Sequence, residues 1–347
     1  MSESKKTFAV LTSGGDAPGM NAAVRSVVRT ALHQGHEIYG IFHGYEGLME
    51  DRMDKMQERS VSNIISRGGT ILYTARSKEF MTEEGQKKAV EILRGRGIDG
   101  LVVIGGDGSF QGAMRLCEMG IPCIGIPGTI DNDLPYTEMT LGFETAVQVC
   151  TEAVRSIRAT SRSHDRPAVV EVMGRHCGDI ALKTACATGA EIVVVPEVPW
   201  RVEDVAARLN KLIAKGNTRA TIIVAEGCWE SMAPFDMYTF LNEHGKKCFE
   251  GEPISAVRFA SIMKRMCGMV EARATVVGYT QRGAEPVAKD SAFAFEAGNL
   301  AVRQLRDGVS NQVIGTRLGK VFYMPIDEAL KAKRPFRRDL YDLVNSL

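Results

Sequence analysis

Two short apolar runs in the middle of the chain each end in glycines followed by carboxylates. Residues 101–109 read LVVIGGDGS, and residues 124–133 read IGIPGTIDND. Residues 110–120 between them have helical spacing, with an apolar side made of Ala113, Met114, Leu116 and Cys117. We therefore predict a strand, a helix and a second, parallel strand, with the carboxyl ends of both strands at one sheet edge. That edge is where open α/β sheets bind their ligands.

The residues at this edge predict a phosphoryl-transfer site. Glycines let the backbone approach phosphate groups, and a carboxylate at Asp107 is suited to a metal ion. Asp131, 24 positions further along, is suited to taking a proton. We expect Asp107 and Asp131 to meet at one site. The alternative is that Asp131 and Asp133 only serve a turn or a helix cap.

Strand signals that end in glycine recur along the chain, and helical segments separate them. Such alternation predicts an α/β fold with mainly parallel sheets and helices on both faces. Residues 160–167 (TSRSHDRP) break the periodicity after a helix over 143–159 and predict a loop. Residues 254–271 predict an amphipathic surface helix, because Val257, Ile262, Met266 and Val270 form one stripe.

Length and composition narrow the class of protein. A chain of 347 residues favours two domains over one, and its formal net charge of +1 gives no electrostatic reason to bind nucleic acid or an anionic membrane. Eight cysteines without a Cys-x-x-Cys pair indicate reduced thiols. Residues 1–6 lead into a strand without a signal-peptide pattern. We expect a cytoplasmic protein with small-molecule substrates and neither a nucleic-acid nor a membrane partner.

A second glycine-rich loop lies near the start of the chain. Residues 14–19 (GGDAPG) follow a strand and precede a helix, the setting in which backbone N–H groups hold an anion. The loop lacks the lysine of a P-loop and is not a dinucleotide fingerprint. Alone it is equally consistent with a plain turn, but the loop at 105–108 on the same predicted edge favours phosphate binding. Arg175, just after another strand, is expected to point into the cleft together with Arg76.

Five motifs together are similar to the phosphofructokinase family over nearly the whole chain. They are LTSGGDAPGMNAAVR at 11–25, VVIGGDGS at 102–109, GIPGTIDND at 125–133, EVMGR at 171–175 and RATVVGYTQRG at 273–283. GGDG alone also resembles NAD kinases and lipid kinases. The resemblance implies two similar three-layer αβα domains with the active site in the cleft between them. Residues 1–141 and 281–329 would form a larger ATP-binding domain, and residues 142–280 and 330–347 a smaller sugar-phosphate-binding domain.

The resemblance also implies a reaction and its residues: ATP-dependent phosphorylation of fructose 6-phosphate to fructose 1,6-bisphosphate, a step of glycolysis. Catalysis would rest on Asp131, Arg175 and Thr129, with Mg²⁺ on Asp107. ATP would be held by Gly15, Arg76, Ser77, Gly106, Asp107, Gly108 and Ser109. The substrate would contact Thr129, Ile130, Asp131, Met173, Gly174, Arg175, Glu226, Tyr279 and Arg282. Arg166 and Arg273 would reach into a neighbouring subunit's site, which implies a homo-oligomer, most often a homotetramer with shared active sites.

Departures from the family pattern occur at a few positions. Ser77 stands where relatives often carry an aromatic residue, Tyr279 stands where many carry histidine, and 227–272 is longer than in short bacterial members. An allosteric site between subunits is implied by Arg25, Arg29, Arg158, Glu191 and Lys215. Glu58 and Asn217 replace an arginine and a lysine of that site, so we expect a weak or altered response to anionic effectors.

Two alternative functions follow from the same residues. Pyrophosphate-dependent relatives resemble this chain but carry aspartate at the position of Gly108 and lysine at that of Gly128, so the two glycines favour ATP. A non-catalytic sugar-phosphate or nucleotide sensor on the same fold would be expected to lack the metal-binding or basic carboxylate. Asp107, Asp131 and Asp133 are all present, which favours the enzyme.

Overall fold

The computed structural model describes residues 5–234, 239–241, 247–249, 252–269 and 271–347. These residues form two compact units. The first unit contains residues up to Ile130, Leu134–Thr145 and Arg282–Arg334, and the second contains Asp131–Asp133, Ala146–Gln281 and Pro335–Leu347. The division between domains stays a prediction, and these unit bounds differ from it by a few residues at each crossing.

Strands and helices alternate along most of the chain. The strands are β1 (Thr7–Thr12), β2 (Glu37–Ile41), β3 (Met53–Lys55), β4 (Gly100–Gly105), β5 (Cys123–Pro127), β6 (Ala168–Val172), β7 (Ile192–Val194), β8 (Thr221–Ala225), β9 (Thr239–Leu241), β10 (Lys247–Phe249), β11 (Glu252–Pro253), β12 (Arg273–Val276), β13 (Gln312–Arg317) and β14 (Lys320–Pro325). The α-helices are α1 (Met20–His33), α2 (Gly44–Met49), α3 (Glu83–Gly95), α4 (Asp107–Glu118), α5 (Phe143–Ser163), α6 (Asp179–Thr188), α7 (Val202–Ala214), α8 (Ala256–Met266), α9 (Thr280–Gly283), α10 (Ala288–Arg306), α11 (Ile326–Lys331) and α12 (Arg338–Ser346). Short 3₁₀ helices cover Glu58–Val61 and Cys228–Glu230.

The sheet of the first unit has the strand order β14-β13-β5-β4-β1-β2-β3. Its pairs are parallel except β13 with β14 and β2 with β3. Every residue of β4 and β5 is buried, as expected for central parallel strands covered on both faces. The prediction of an α/β fold with mainly parallel sheets is confirmed.

The order of these strands creates a ligand-binding position. From β1 the chain runs to β2 and β3 on one side and returns through β4 on the other side. The loops that follow β1 and β4 consequently leave the sheet in opposite directions and open a crevice at the carboxyl ends of the two strands. Both glycine-rich loops lie at this topological switch point.

The second unit contains a parallel sheet in the order β12-β6-β8-β7. Trp200 and Phe259 pack edge to face in the core below it, with ring centroids 5.6 Å apart. The described part of segment 227–272 contributes the antiparallel strands β9, β10 and β11 and the helix α8. Because β6, β8 and β12 are parallel, their carboxyl ends lie along one edge of the sheet.

Three local predictions need correction. Helix α5 continues to Ser163, so the predicted loop at 160–167 begins too early; the Ser163 hydroxyl donates to the Ala159 carbonyl oxygen and lets a polar residue remain in the helix. Helix α4 begins at Asp107 rather than at residue 110, with Gly106 at its N-cap. In α8, Val257 is 62% exposed and does not belong to a buried stripe, while Val270 lies outside the described residues. Within the described ranges, we find no helix that is long and apolar enough to cross a bilayer.

Candidate functional site

The loops after β1, β4 and β5 are tied together by backbone hydrogen bonds. The Ser13 N–H donates to the Ile104 oxygen at 2.9 Å, and the Gly128 N–H donates to the Gly105 oxygen at 2.9 Å. Thr74 Oγ1 donates to the Gly14 oxygen at 2.6 Å and fixes the loop that carries Arg76 beside the first glycine loop. The glycine loops that the sequence predicted at one sheet edge therefore belong to one hydrogen-bonded framework.

Helix α4 directs its N-terminus into this framework. The helix begins at Asp107, and Gly106 provides no capping side chain, so N–H groups of the first turn are available to an anion. Asp107 is exposed, and Gln111 Nε2 donates to its Oδ2 at 2.6 Å. A Cβ added to Gly108 would have no neighbour within 4 Å, which leaves space for a ligand above the turn.

The carboxylate of Asp107 suits a magnesium ion that takes its other ligands from a phosphorylated compound. Among the described residues no group of three or more His, Cys, Asp or Glu side chains could hold a metal alone. Mg²⁺ commonly binds through one or two carboxylates and takes its other ligands from phosphates and water. The single exposed carboxylate of Asp107 suits that mode of binding.

Aromatic side chains support the α4 loop from below, and sequence reasoning missed them. The Tyr45 hydroxyl donates to the Ser109 oxygen at 2.7 Å, and its ring stacks on Phe80 with centroids 4.0 Å apart. Ser77 is buried, and its Oγ accepts the Phe80 N–H at 3.2 Å. The hydroxyl of Ser77 therefore contributes to the local turn, and the sequence offered no signal for these long-range contacts.

Arg282 lies against the first glycine loop. Its Nη1 donates to the Asp16 oxygen at 3.0 Å, and a Cβ added to Gly15 would be 2.9 Å from the same nitrogen. Gly15 therefore allows the guanidinium to approach the loop closely. Arg76 is exposed and lies two residues beyond Thr74, which is hydrogen-bonded to the Gly14 oxygen.

The segment after β5 passes from the first unit to the second. Thr129 is buried near Gly106, whose added Cβ would be 4.0 Å from the Thr129 Cβ, and Thr140 Oγ1 donates to the Thr129 oxygen at 2.6 Å. Ile130 is fully buried. Asp131, only 7% exposed, belongs to the second unit. The expected meeting of Asp107 and Asp131 stays a prediction.

Asp131 belongs to a short segment that is attached to the start of α6. Asn132 has a left-handed backbone with φ 55°, and its Nδ2 donates to Asp179 Oδ2 at 2.8 Å. Asp179 is the first residue of α6 and follows Arg175 by four positions. Within the second unit, this hydrogen bond connects the Asp131 segment to the turn that carries Arg175.

The turn after β6 is unusual in its backbone conformation. Gly174 has φ 131° and Arg175 has φ 53°, a left-handed conformation that non-glycine residues adopt at a cost of about 1–2 kcal/mol. Glu226, directly after β8, accepts the Arg175 N–H through Oε1 at 2.7 Å. A Cβ at Gly227 would lie 2.0 Å from the Arg175 oxygen. The structure thus builds Met173, Gly174, Arg175 and Glu226 into one turn at the sheet edge.

A half-buried carboxyl group lies on β6 close to this turn. Glu171 accepts the Ala256 N–H at the start of α8 at 3.3 Å. Burial, with a smaller contribution from the negative charge of Glu226, raises the pKa of Glu171. Helix α8 is therefore attached to the strand that leads into the turn.

Arg166 and Arg273 lie at the opposite edge of the same sheet. Arg166 precedes β6 and Arg273 begins β12, whereas Arg175 and Tyr279 follow these strands. Both arginines pair with Glu271, Arg273 through Nε at 2.5 Å, and the hydrogen bonds from Arg273 and Arg166 lower the pKa of Glu271. About 16 Å of β6 separates the two edges. Arg273 and Tyr279 of one chain are therefore not brought together.

Tyr279 extends into solvent beyond the end of β12. Its side chain is 83% exposed. The ring is therefore not packed against the described residues of the second unit. The hydroxyl is available to a ligand at the edge where Arg175 and Glu226 also lie.

The residues expected at an allosteric site are divided between the two units. Arg25 and Arg29 lie on α1 in the first unit, while Arg158, Glu191 and Lys215 lie in the second. Arg158 donates to the Thr188 and Gly189 oxygens and to Glu191. Glu191 also accepts from Asn217 Nδ2 at 3.2 Å and from the Thr221 N–H at 2.8 Å. Arg158 and Glu191 are thus engaged in closing the end of α6 against β8.

Comparison with known proteins identifies the family. The Phosphofructokinase family profile matches residues 7–305. An ATP-dependent 6-phosphofructokinase of Paenibacillus macquariensis is 45% identical over 99% of this chain and 98% of its own length. One from Clostridioides difficile is 46% identical over 99% of both chains.

Solved structures agree with this match. Phosphofructokinase from Saccharomyces cerevisiae has a TM-score of 0.80 and 36% identity over 94% of this chain. The present chain spans 45% of that yeast chain. A pyrophosphate-dependent phosphofructokinase from Marinobacter aquaeolei has a TM-score of 0.80 at 22% identity and shows likeness of fold alone. The resemblance deduced from the sequence motifs is confirmed: this chain belongs to the phosphofructokinase family.

Proposed function

We propose that this chain is an ATP-dependent 6-phosphofructokinase, which transfers the γ-phosphate of ATP to the 1-hydroxyl group of fructose 6-phosphate. The observation that carries the proposal is the pair of glycine loops at the switch point, with α4 beginning at the exposed Asp107. The names of relatives that are about 45% identical over their full length support the same reaction.

The first unit holds the nucleotide in this proposal. Backbone N–H groups at Gly15 and in the Gly106–Ser109 turn bind phosphate oxygens, and the positive end of the α4 dipole favours their charge. Arg76, an exposed residue, adds a cation to this site. Magnesium, when bound beside Asp107, supplies charge neutralisation for the phosphates.

The second unit holds the sugar phosphate and the general base. Asp131 takes the proton of the attacking hydroxyl group, while Thr129 lies two residues before it on the nucleotide side. Arg175, held in its left-handed turn by Glu226, offsets charge on the transferred phosphoryl group. Met173, Gly174 and Tyr279 are the other sugar-phosphate contacts from this unit, and Arg282 of the first unit is the remaining one.

The choice of ATP over pyrophosphate rests on two glycines. The open space at Gly108 leaves room for the α-phosphate of a nucleotide, which an aspartate would repel. Gly128 is closely packed: a Cβ there would lie 2.9 Å from Ile104 Cγ2 and 3.0 Å from Met20 Cε. A lysine that could compensate for pyrophosphate charge is therefore poorly accommodated at this position.

A homo-oligomer in the cytoplasm, most simply a homotetramer, completes the proposal. Arg166 and Arg273 lie at the sheet edge opposite Arg175, so they cannot serve the sugar phosphate bound by their own subunit. In the oligomer they bind the sugar phosphate that a neighbouring subunit holds. Each subunit thus contributes two arginines to the active site of its neighbour.

A coupled assay for fructose 1,6-bisphosphate tests the function, with ATP, GTP and pyrophosphate supplied in parallel. We expect predominant turnover with ATP. Asp131→Asn should lower kcat by roughly 10²–10⁴-fold, the usual contribution of a general base, while Asp327→Asn on the exposed face of α11 serves as the control. Predominant turnover with pyrophosphate would refute the donor assignment, and ligand binding without turnover would favour the sensor.

A further inference from the structure

Gln281 is a fully buried polar residue that no step of the proposed mechanism uses. Its side chain is 0% exposed and lies between three segments of the second unit. Oε1 accepts the Met173 N–H at 3.1 Å and the Cys150 thiol of α5 at 3.0 Å. Nε2 donates to the Gly278 oxygen at 3.1 Å.

These hydrogen bonds reach both of the turns that present the sugar-phosphate ligands. Met173 is the first residue after β6 and begins the turn that leads to Arg175. Gly278, with φ 60°, begins the turn that carries Tyr279. One amide side chain therefore connects the two strand ends: its oxygen accepts from the turn after β6, and its nitrogen donates to the turn after β12.

The backbone of the Met173–Arg175 turn requires such support. Two consecutive residues, Gly174 and Arg175, have positive φ, and strained backbone persists only where its surroundings determine it. Glu226 fixes the far end of the turn at the Arg175 N–H, and Gln281 fixes the near end at the Met173 N–H. Without the amide, this partly buried N–H would lose its hydrogen-bond partner.

We propose that Gln281 is a positioning residue that holds the Met173–Arg175 turn and the Gly278–Tyr279 turn in the arrangement that binds fructose 6-phosphate. This inference rests on the proposed function. Gln281 acts through the two turns and does not itself touch the substrate. Loss of its hydrogen bonds therefore raises the KM for fructose 6-phosphate and leaves the KM for ATP unchanged.

The substitution Gln281→Glu gives the proposal a pH-dependent signature. A protonated glutamic acid has the shape of glutamine and retains one donor and one acceptor, whereas the ionised form turns a second acceptor toward the Gly278 oxygen. Burial raises the pKa of such a carboxyl group from about 4.3 toward the range of the assay. The variant is expected to bind the sugar phosphate well at low pH and progressively worse as pH rises.

The charged and titratable groups around the two turns define the controls. The Cys150 thiol touches Oε1, and burial raises its pKa to about 12, so it stays neutral in the assay. Glu171 lies on β6, Glu226 directly follows β8, and Arg175 and Arg282 are the nearby cations. Each variant profile is therefore compared with that of the wild type, and Gln148→Glu, on the exposed face of α5, is the matched control.

The experiment measures the KM for fructose 6-phosphate and the KM for ATP between about pH 6 and 8. Four proteins are compared: the wild type, Gln281→Glu, Gln281→Leu and Gln148→Glu. Amide hydrogen exchange of the peptide that contains Met173 is measured for each of them. We expect the fructose 6-phosphate KM to rise roughly tenfold in Gln281→Leu at every pH. In Gln281→Glu the KM for fructose 6-phosphate should rise with pH, and faster hydrogen exchange should be confined to the two turns.

Two results would overturn the proposal. One is that Gln281→Leu and Gln281→Glu keep the wild-type KM values, and the other is that the KM values for fructose 6-phosphate and ATP change equally while hydrogen exchange becomes faster throughout the protein. If the wild type shows no turnover, the proposed function fails, and the exchange of Met173 still tests the positioning role.

Discussion

The carboxylate of Glu226 accepts the backbone N–H of Arg175 at 2.7 Å while Arg175 has the left-handed φ of 53°. The hydrogen bond joins the ends of β6 and β8 and places the guanidinium at the sheet edge. The orientation of Arg175 therefore depends on a side chain 51 positions away in sequence.

Glu226→Leu removes this acceptor while retaining a side chain of similar size. We expect a roughly tenfold or larger fall in kcat/KM for fructose 6-phosphate, because the Arg175 N–H loses its hydrogen bond and the strained turn relaxes. Steady-state kinetics provide the measurement. Glu91→Leu, at an exposed position of α3, is the control. An unchanged kcat/KM in Glu226→Leu would show that the turn keeps its shape without the carboxylate.

The two glycines that favour ATP should respond differently to substitution. Gly108→Asp introduces a carboxylate into open space, so the protein should fold normally and lose at least about tenfold in kcat/KM for ATP through repulsion of about 1–4 kcal/mol. Gly108→Ala should remain within about twofold, since the added methyl group meets nothing. Full ATP turnover in Gly108→Asp would mean that the phosphates bind elsewhere.

Gly128→Lys should fail for a different reason. Its Cβ would press against Ile104 and Met20, and overpacking of this kind costs about 1–3 kcal/mol. We expect a lower melting temperature by calorimetry, together with reduced turnover for every donor. A normal melting temperature would indicate that β5 shifts to admit the side chain.

Tyr279→Phe tests whether the exposed hydroxyl binds the sugar phosphate. Loss of one hydrogen bond of about 1 kcal/mol should raise the KM for fructose 6-phosphate about fivefold and leave that for ATP unchanged. A phenol carries no charge near neutrality, whereas histidine titrates near pH 6.5. The wild-type KM should accordingly vary less between about pH 6 and 8 than that of Tyr279→His. An unchanged KM in Tyr279→Phe would assign the side chain no contact with the substrate.

Regulation by anionic effectors should be weak. Glu191 is engaged by Arg158, Asn217 and the Thr221 N–H, so these groups hold one another rather than a ligand. We expect ADP or phosphoenolpyruvate to shift the half-saturating fructose 6-phosphate concentration only slightly, and Asn217→Lys, which adds a cation, to enlarge the shift. Strong activation of the wild type by ADP that disappears in Arg25→Ala would contradict this expectation.

The parts of the fold that the sequence predicted share a local physical cause. Central parallel strands are continuous apolar runs, and the glycines after them must lie where the chain turns at the sheet edge, so the loops at 14–16 and 105–109 were predictable. The support of Ser109 by Tyr45 and of Met173 by Gln281 was not, because these contacts join residues 64 and 108 positions apart. No periodic pattern encodes which buried amide meets which backbone N–H. The end of α5 was misjudged because serines that bond to their own helix look like loop residues.

The placement of Arg166 and Arg273 at the sheet edge opposite Arg175 has a genetic consequence. If each active centre is a composite of two polypeptides, an Arg175→Ala subunit and an Arg273→Ala subunit carry different defects that need not coincide in one centre. When the two inactive proteins co-assemble at random in equal amounts, about one quarter of all active centres should receive both intact arginines. Activity would then return when the two proteins are mixed under conditions that exchange subunits. Intragenic complementation is therefore expected because the two sets of arginines lie at opposite ends of the strands of one four-stranded sheet.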